Sequence, residues 1–322
     1  MIKINKLNAS IYSKLGQAGS AFGIALMEMQ KANPHVYTLS ADMSKPAGLD
    51  RFKSKYPEMF INVGIAEQNL IGIAAGMASE GKKVIVTAQA VFISMRSCEQ
   101  VRQYMGYMNS NIIAVGISSG FALTFFGNTH YALEDISIMR SIPGMTILSP
   151  SDAGQAAKAL IAAIELNTPI YIRLTGKMNC PIVYNEDYDL EIGKAIQIRN
   201  GTDITIFATG SMVFNALKTA EILEEKGLSI SVIDMHTIKP LDEVSIKKCF
   251  NSKLFVSVEE HNIIGGLGTA ISEYISSNIN SPQLLRLGVM DEFSKPGDYT
   301  YLLKQNRLMP NEIAEDIIKA LK

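Results

Sequence analysis

The sequence predicts an α/β protein of two successive domains, each a mainly parallel sheet wound with helices on both faces. Three observations carry that expectation. Short β-branched runs alternate with longer stretches of helical apolar spacing along nearly the whole chain, as strand–helix–strand crossovers require. The chain has 322 residues, enough for roughly two domains of ~150 residues. Between the two alternating stretches, residues 176–193 show little pattern, are rich in Asp, Glu, Asn and Tyr, and contain Pro181. That segment reads as an interdomain linker, with one domain over residues 1–180 and a smaller one over 190–322.

In the first domain, strands are expected at Val36–Leu39, Val84–Thr87, Ile112–Val115, Thr146–Leu148 and Ile170–Leu174, each a compact run of β-branched and apolar residues. Helices are expected at about Gly19–Lys31, Phe92–Met108, Leu133–Ser141 and Asp152–Leu166. The second unit repeats the alternation: a strand at Ile204–Ala208, a helix at Met212–Lys226, a strand at Ser229–Ile233, a helix at Leu241–Phe250 and a strand at Leu254–Val258. Gly265-Gly266-Leu267-Gly268 lacks the full dinucleotide fingerprint, and no Walker lysine follows it. It reads as a tight turn that lets a helix pack closely.

Composition narrows the function classes. Lys and Arg number 30 against 31 Asp and Glu, a balance that does not suggest nucleic acid or an anionic membrane surface as partner. No basic segment followed by an apolar one opens the chain, and no apolar run is long enough to span a bilayer. Cys98, Cys180 and Cys249 are odd in number, far apart and without metal-ligand spacing. Free thiols and a cytoplasmic location are expected.

The segment Phe60-Ile61-Asn62-Val63-Gly64-Ile65-Ala66-Glu67-Gln68-Asn69 carries the most information. An extended run meets a small-residue turn, and a lone acid then opens a helix expected from Asn69 to about Glu80. That helix is apolar on nearly every side (Leu70, Ile71, Ile73, Ala74, Ala75, Met77, Ala78) and is expected to be buried. Glu67 thus stands at the mouth of a buried helix, where an unpaired carboxylate is costly. On these residues alone it is a dipole-pairing or capping acid.

Further landmarks follow in order. Ser40-Ala41-Asp42 lies upstream; Gly127-Asn128-Thr129-His130-Tyr131-Ala132-Leu133-Glu134-Asp135, Met139-Arg140 and Pro143-Gly144-Met145 lie downstream. Val232-Ile233-Asp234-Met235-His236-Thr237-Ile238-Lys239-Pro240-Leu241 and Val258-Glu259-Glu260-His261-Asn262 come later. The ordered set resembles the pyrimidine-binding and C-terminal domains of transketolases, and the resemblance covers essentially the whole chain. It implies a thiamine diphosphate-binding, pyrimidine-type doubly wound parallel sheet domain, followed by a smaller transketolase C-terminal α/β domain. It implies transfer of a two-carbon ketol unit from a ketose to an aldose.

The resemblance also assigns residues. Glu67 would hydrogen-bond a ring nitrogen of the cofactor aminopyrimidine and control its proton, with Ile65 beside it at the cofactor. Phe92 would be the aromatic platform under that ring. Gln89 stands where the family usually carries a second aromatic, and would offer an amide instead. His130 would bond substrate hydroxyls and assist proton transfer, as a side chain titrating near neutrality can. Asp42 matches an acid near the cofactor and subunit contact. His236 and His261 read as loop or domain-contact residues.

Departures from the family pattern bear on substrate. Phe126 and Asn128 replace the Asp and Pro usual before the histidine, Gly19 stands near a usual Arg, and Ser118 replaces a His. Arg96, Arg102 and Arg173 remain as candidate anion contacts. A modified or nucleotide-linked sugar, rather than an ordinary pentose phosphate, is the substrate expected of this greasier pocket.

The Gly-Asp-Gly of the diphosphate and Mg²⁺ site occurs nowhere in the sequence. The resemblance therefore implies no metal ligand on this chain and a separate partner subunit that holds the diphosphate and Mg²⁺. That partner would have about 270 residues, in a heterotetramer with two copies of each chain, and this chain would be inactive alone. Two rivals share the fold. One is the beta-type subunit of a 2-oxo acid dehydrogenase or a deoxyxylulose-phosphate synthase, against which the Gly-x-Thr-His-x-Ala-Leu-Glu-Asp loop argues. The other is a non-catalytic scaffold, against which Glu67 and His130 argue.

Overall fold

A computed structural model describes residues 2–32, 35–175 and 178–322. Gly176 and Lys177, where the linker is expected to begin, lie outside the described residues. The strands are β1 (Val36–Ser40), β2 (Phe60–Asn62), β3 (Lys83–Gln89), β4 (Ile112–Ser119), β5 (Thr146–Leu148), β6 (Ile170–Thr175), β7 (Ile196–Arg199), β8 (Ile204–Ala208), β9 (Ile230–Asp234), β10 (Thr237–Lys239), β11 (Leu254–Asn262) and β12 (Leu284–Val289). The α-helices begin with α1 (Lys6–Ser20), α2 (Leu26–Ala32), α3 (Asp50–Lys55), α4 (Glu67–Ser79), α5 (Cys98–Gln100) and α6 (Asp135–Arg140). They continue with α7 (Ala153–Glu165), α8 (Met212–Glu224), α9 (Glu243–Lys248), α10 (Leu267–Ser276), α11 (Tyr299–Gln305) and α12 (Pro310–Ala320).

The first sheet runs in the order β10-β5-β6-β4-β3-β1-β2, and β1 to β6 are paired in parallel. Its interior strand β3 is buried along Val84-Ile85-Val86-Thr87-Ala88, which is why it reads as an unbroken apolar run. One face packs on α1, α2 and α7 through Tyr12, Leu26 and Leu160, and the other on α4 and α6 through Leu70, Ile71 and Ile136. The second sheet runs β12-β11-β8-β9-β7, with β7 antiparallel at its edge. The α4/α6-side core continues into the second unit at Phe207, Ile233 and Phe255. In addition β10 leaves the second unit to pair antiparallel with β5, Thr237 facing Leu148. The two units thus share a core, and the second lends a strand to the first sheet.

Several expectations are corrected. The helix expected over Phe92–Met108 is instead π-helical at Phe92–Arg96 and Val101–Tyr107 around the short α5, with a Ser97 N–H to Phe92 C=O bond of 3.2 Å marking the wide turn. The Glu67 helix starts two residues earlier than expected, and is not buried all round: Gln68, Asn69 and Gly76 are exposed and Ile73 and Met77 only partly covered. The helix α1 escaped the sequence reading because its apolar stripe, Leu7, Ile11 and Leu15, points to solvent, while Gly16, at φ 72°, breaks its end. Gly265, at φ 80°, and Gly266 make the expected tight turn before α10. A side chain at Gly266 would overlap the Glu259 carboxylate that caps that helix at Leu267 and Gly268. No helix among the described residues is long and apolar enough to cross a membrane.

Candidate functional site

Open parallel sheets place ligand-contacting groups in loops beyond the carboxyl ends of their strands, where the strand order reverses. Here the order reverses at β1, with β2 on one side and β3 on the other. Asp42 follows β1, Asn62 ends β2, Gln89 ends β3 and Ser118 stands at the end of β4. Asp42 takes φ 55° and forms a reciprocal pair with Asn62: its N–H donates to Asn62 Oδ1 at 3.0 Å and its Oδ1 accepts from Asn62 Nδ2 at 3.1 Å. Asn62 Oδ1 also accepts from the Gly64 N–H at 3.1 Å. Asp42 therefore braces the turn that launches Glu67.

Glu67 is 4% exposed and opens α4. Ala66, at the N-cap, offers no side-chain cap, and the Glu67 carboxylate turns away to accept from Arg96 Nη1 at 2.8 Å. The wide π turn sets Phe92 and Arg96 on one side of their segment, and the guanidinium carbon lies 4.1 Å from the Phe92 ring centroid. Phe92 in turn meets His130 edge-on at 5.3 Å, and His130 meets Phe126 at 4.8 Å and 37°. The result is a continuous series, Glu67–Arg96–Phe92–His130–Phe126. Ile65, just before Glu67, is 78% exposed.

Gln89 Oε1 is buried and has no hydrogen-bond partner among the described residues, an arrangement costly unless a ligand completes it. An aminopyrimidine needs a carboxylate at a ring nitrogen, an apolar face under the ring and an acceptor for its amine. Glu67, Phe92 and Gln89 Oε1 match those needs in kind. Arg96 stacks on the ring and bonds the carboxylate, and so holds the two contacts that such a ring would make.

The sequence-named anion contacts divide. Arg96 belongs to the series, as a partner of Glu67. Arg102 is exposed beside Tyr107 and Pro143. Arg173 is corrected outright: at 1% exposure it is sealed in the interior, where its Nε donates to both oxygens of Asp135 at 3.0 and 2.9 Å. Burial opposes its charge, and the Asp135 and Glu260 carboxylates outweigh that effect to hold its pKa above the usual value. Asn128 is also reassigned, since its Nδ2 donates to the Ser294 carbonyl at 2.9 Å in the second unit. Ser118 is half-buried at φ 58°. Gly19 lies against Gly48, whose added Cβ would stand 3.1 Å from Gly19 Cα.

Two participants were missed by the sequence reading. Asn62 sat inside the quoted motif without a role. Glu260 sat in Glu259-Glu260-His261, and only the fold brings its carboxylate to the Phe121 N–H, at 2.6 Å. His261 is buried at the contact between units, donating Nδ1–H to Asn262 C=O at 2.6 Å and accepting from Ser137 N–H at 3.4 Å.

Comparison with known proteins agrees with this architecture. Residues 17–181 match the transketolase pyrimidine-binding domain and residues 193–313 the transketolase C-terminal domain. The chain is 38% identical over 303 residues to a transketolase C-terminal section of Methanocaldococcus jannaschii, covering 94% of this chain and 95% of that one. It is 37% identical to one of the subunits of an apulose-4-phosphate transketolase of Phocaeicola vulgatus, over 84% of this chain and 87% of the other. It is also 37% identical to a 6-deoxy-6-sulfo-D-fructose transketolase subunit of Clostridium sp. (strain MSTE9), over 89% of each. A solved split-gene transketolase, described as an inactive beta4 tetramer, superimposes with a TM-score of 0.87 at 34% identity, covering 94% of this chain and 98% of its own. This chain belongs to the transketolase family and carries that family's pyrimidine-binding and C-terminal domains.

Proposed function

We propose that this chain is the pyrimidine-binding half of a two-chain transketolase, active only with a separate subunit that holds the diphosphate and Mg²⁺. The observation that carries the reading is the buried Glu67 carboxylate, joined through the Arg96 guanidinium to the face of Phe92. Thiamine diphosphate, when bound, supplies the carbanion chemistry by which a two-carbon unit passes from ketose to aldose. Glu67 hydrogen-bonds the pyrimidine nitrogen and holds a proton there. Phe92 provides the stacking face once Arg96 swings aside. Gln89 Oε1, without a partner among the described residues, takes the amine hydrogen bond.

His130 faces the substrate. The Thr129 hydroxyl stands 2.9 Å from its Nδ1, which leaves Nε2 to bond sugar hydroxyls and to move a proton at the reacting carbon. Phe126 packs against His130, tilted by 37°, where the family carries an acid, so this wall offers an apolar ring rather than an acceptor for a sugar hydroxyl. That supports a modified sugar as substrate, as do relatives named for apulose-4-phosphate and 6-deoxy-6-sulfo-D-fructose. The half-open face of α4, with Ile73, Met77 and the uncovered Gly72 and Gly76, is where the partner subunit packs in this reading.

The test is an assay of the reconstituted two-chain enzyme on a panel of carbon-13-labelled ketoses with aldose acceptors. Appearance of a ketose two carbons longer than the acceptor supports the proposal. Release of carbon dioxide from pyruvate without ketol transfer would move the chain to the 2-oxo acid enzymes. Rapid turnover of xylulose 5-phosphate with ribose 5-phosphate would contradict the modified substrate.

A further inference from the structure

The loop between β4 and α6 carries both Phe126 and His130, and its two ends are pinched together. Gly120 N–H donates to Ala132 C=O at 2.9 Å and Ala132 N–H returns to Gly120 C=O at 3.2 Å. One strand of that pinch is held directly from the second unit by Glu260, and the other by Arg173 of β6, which also bonds the Glu260 backbone. Glu260 Oε1 accepts from the Phe121 N–H at 2.6 Å. Arg173 Nη2 donates to Ala132 C=O at 3.1 Å and to the Glu260 C=O at 2.8 Å.

Glu260 is itself held firmly. It is 1% exposed on β11, and its Oε2 accepts from Tyr299 O–H at 2.6 Å and from the Ser211 hydroxyl. Those donors come from three separate parts of the fold: the loop, the start of α8 and the start of α11. The approach is possible because residue 120 is glycine at φ 63°, where a Cβ would overlap the Glu260 carboxylate. A buried carboxylate meeting a backbone N–H is a strong, short-range tether, and it anchors the residue that begins the His130 loop.

We propose that Glu260 is a positioning residue: through Phe121 it fixes the root of the loop and so sets His130 against Phe92. The inference rests on His130 being the substrate-facing group of the proposed transketolase. It gives the second unit a task at the site, since no residue of that unit lies in the Glu67–Phe126 series.

Imidazole NMR of the full chain tests this without a substrate. The chain has four histidines, His35, His130, His236 and His261. The Phe92 and Phe126 rings, 5.3 and 4.8 Å away, displace the His130 signal by their ring currents. Glu260→Ala removes the acceptor, Glu260→Asp withdraws it by one methylene, and Glu260→Gln keeps its reach, turning its amide nitrogen to the hydroxyls of Ser211 and Tyr299. The expected result is loss of the His130 displacement in the Ala and Asp variants and its retention in Gln, with the His236 signal unmoved in all three. In the two-chain assembly, thiamine diphosphate affinity stays unchanged while ketol transfer by the Ala and Asp variants falls on the order of 10²-fold. Should the Ala variant not fold, the Asp and Gln pair carries the same comparison.

An undisturbed His130 signal in both the Ala and Asp variants would overturn the proposal. So would a joint shift of the His130 and His236 signals with lost cofactor affinity, which marks Glu260 as a general structural residue. A His130 signal that follows Glu260 in a chain whose parent assembly transfers no ketol unit supports the positioning role and removes the functional reading instead.

Discussion

Arg96 lies with its guanidinium 4.1 Å over the Phe92 ring while its Nη1 bonds Glu67 Oε2 at 2.8 Å. One flat cation thus satisfies the carboxylate and covers the aromatic face, the two contacts that a bound aminopyrimidine would require. In the proposed function, cofactor binding displaces it.

Replacing Arg96 by Met should tighten thiamine diphosphate binding to the assembled enzyme. The Arg96 side chain is 46% exposed, and such half-solvated pairs hold only about 0.2–1 kcal/mol. The gain is therefore limited to about fivefold in Kd, read by calorimetry. Weaker binding would show that Arg96 stays on the cofactor rather than yielding to it.

Glu67→Gln keeps the shape of the side chain and removes the proton-sharing group. Turnover of the two-chain enzyme should fall by about 10²–10⁴-fold. Thermal stability should change little, because the stranded partner Arg96 reaches solvent. Unchanged turnover would refute the assignment of Glu67 to the cofactor.

Arg173→Met should act on folding. Asp135 is buried and receives both the Arg173 guanidinium and the Tyr171 hydroxyl, the latter at 2.8 Å. Removing one partner of a buried pair leaves an uncompensated charge, a loss of about 3–5 kcal/mol. Denaturant unfolding checks this; a loss under about 1 kcal/mol, the size of an exposed pair, would return Arg173 to the surface anion contacts.

His261 makes stability depend on pH. Burial pushes its pKa down to about 4, the Asp135 charge raises it in part and Arg173 lowers it further. Its ring nitrogens stand 4.0 Å from Asp135 and 3.9 Å from Glu259, the latter pushed up to about 7 by its own burial. The unfolded chain protonates His261 below about 6.5, while the folded chain resists until about 4. Its contribution is complete above the unfolded value and is lost as pH falls through that window. The stability deficit of His261→Gln relative to the parent should therefore shrink by about 1.4 kcal/mol per pH unit between roughly 6 and 4.5. A deficit independent of pH, by equilibrium unfolding, would mean that His261 is not sealed from protons.

The strands were the most legible part of the sequence. Runs such as Val84–Thr87 and Ile204–Ala208 are buried on both faces, so their composition alone marks them. The helix α1 was hidden by its outward stripe, and β10 by its length of three residues and its pairing with β5, about 90 positions away in the chain. The site was legible where it is local: Glu67, Phe92 and His130 sit in contiguous motifs. Arg173 was misread because Asp135, which explains it, is 38 residues distant, and a spacing of that kind leaves no periodic trace. Arg96 was seen as a cation, but its stacking on Phe92 depends on a π turn that helical periodicity does not announce.

The most direct test of the central claim is calorimetric titration of thiamine diphosphate with Mg²⁺, first into this chain alone and then into its mixture with the diphosphate-binding subunit. Tight binding is expected in the mixture and none by the chain alone, with Glu67 and Phe92 supplying one half of an interface site. Tight binding by the isolated chain, or no binding in either cell, would contradict it.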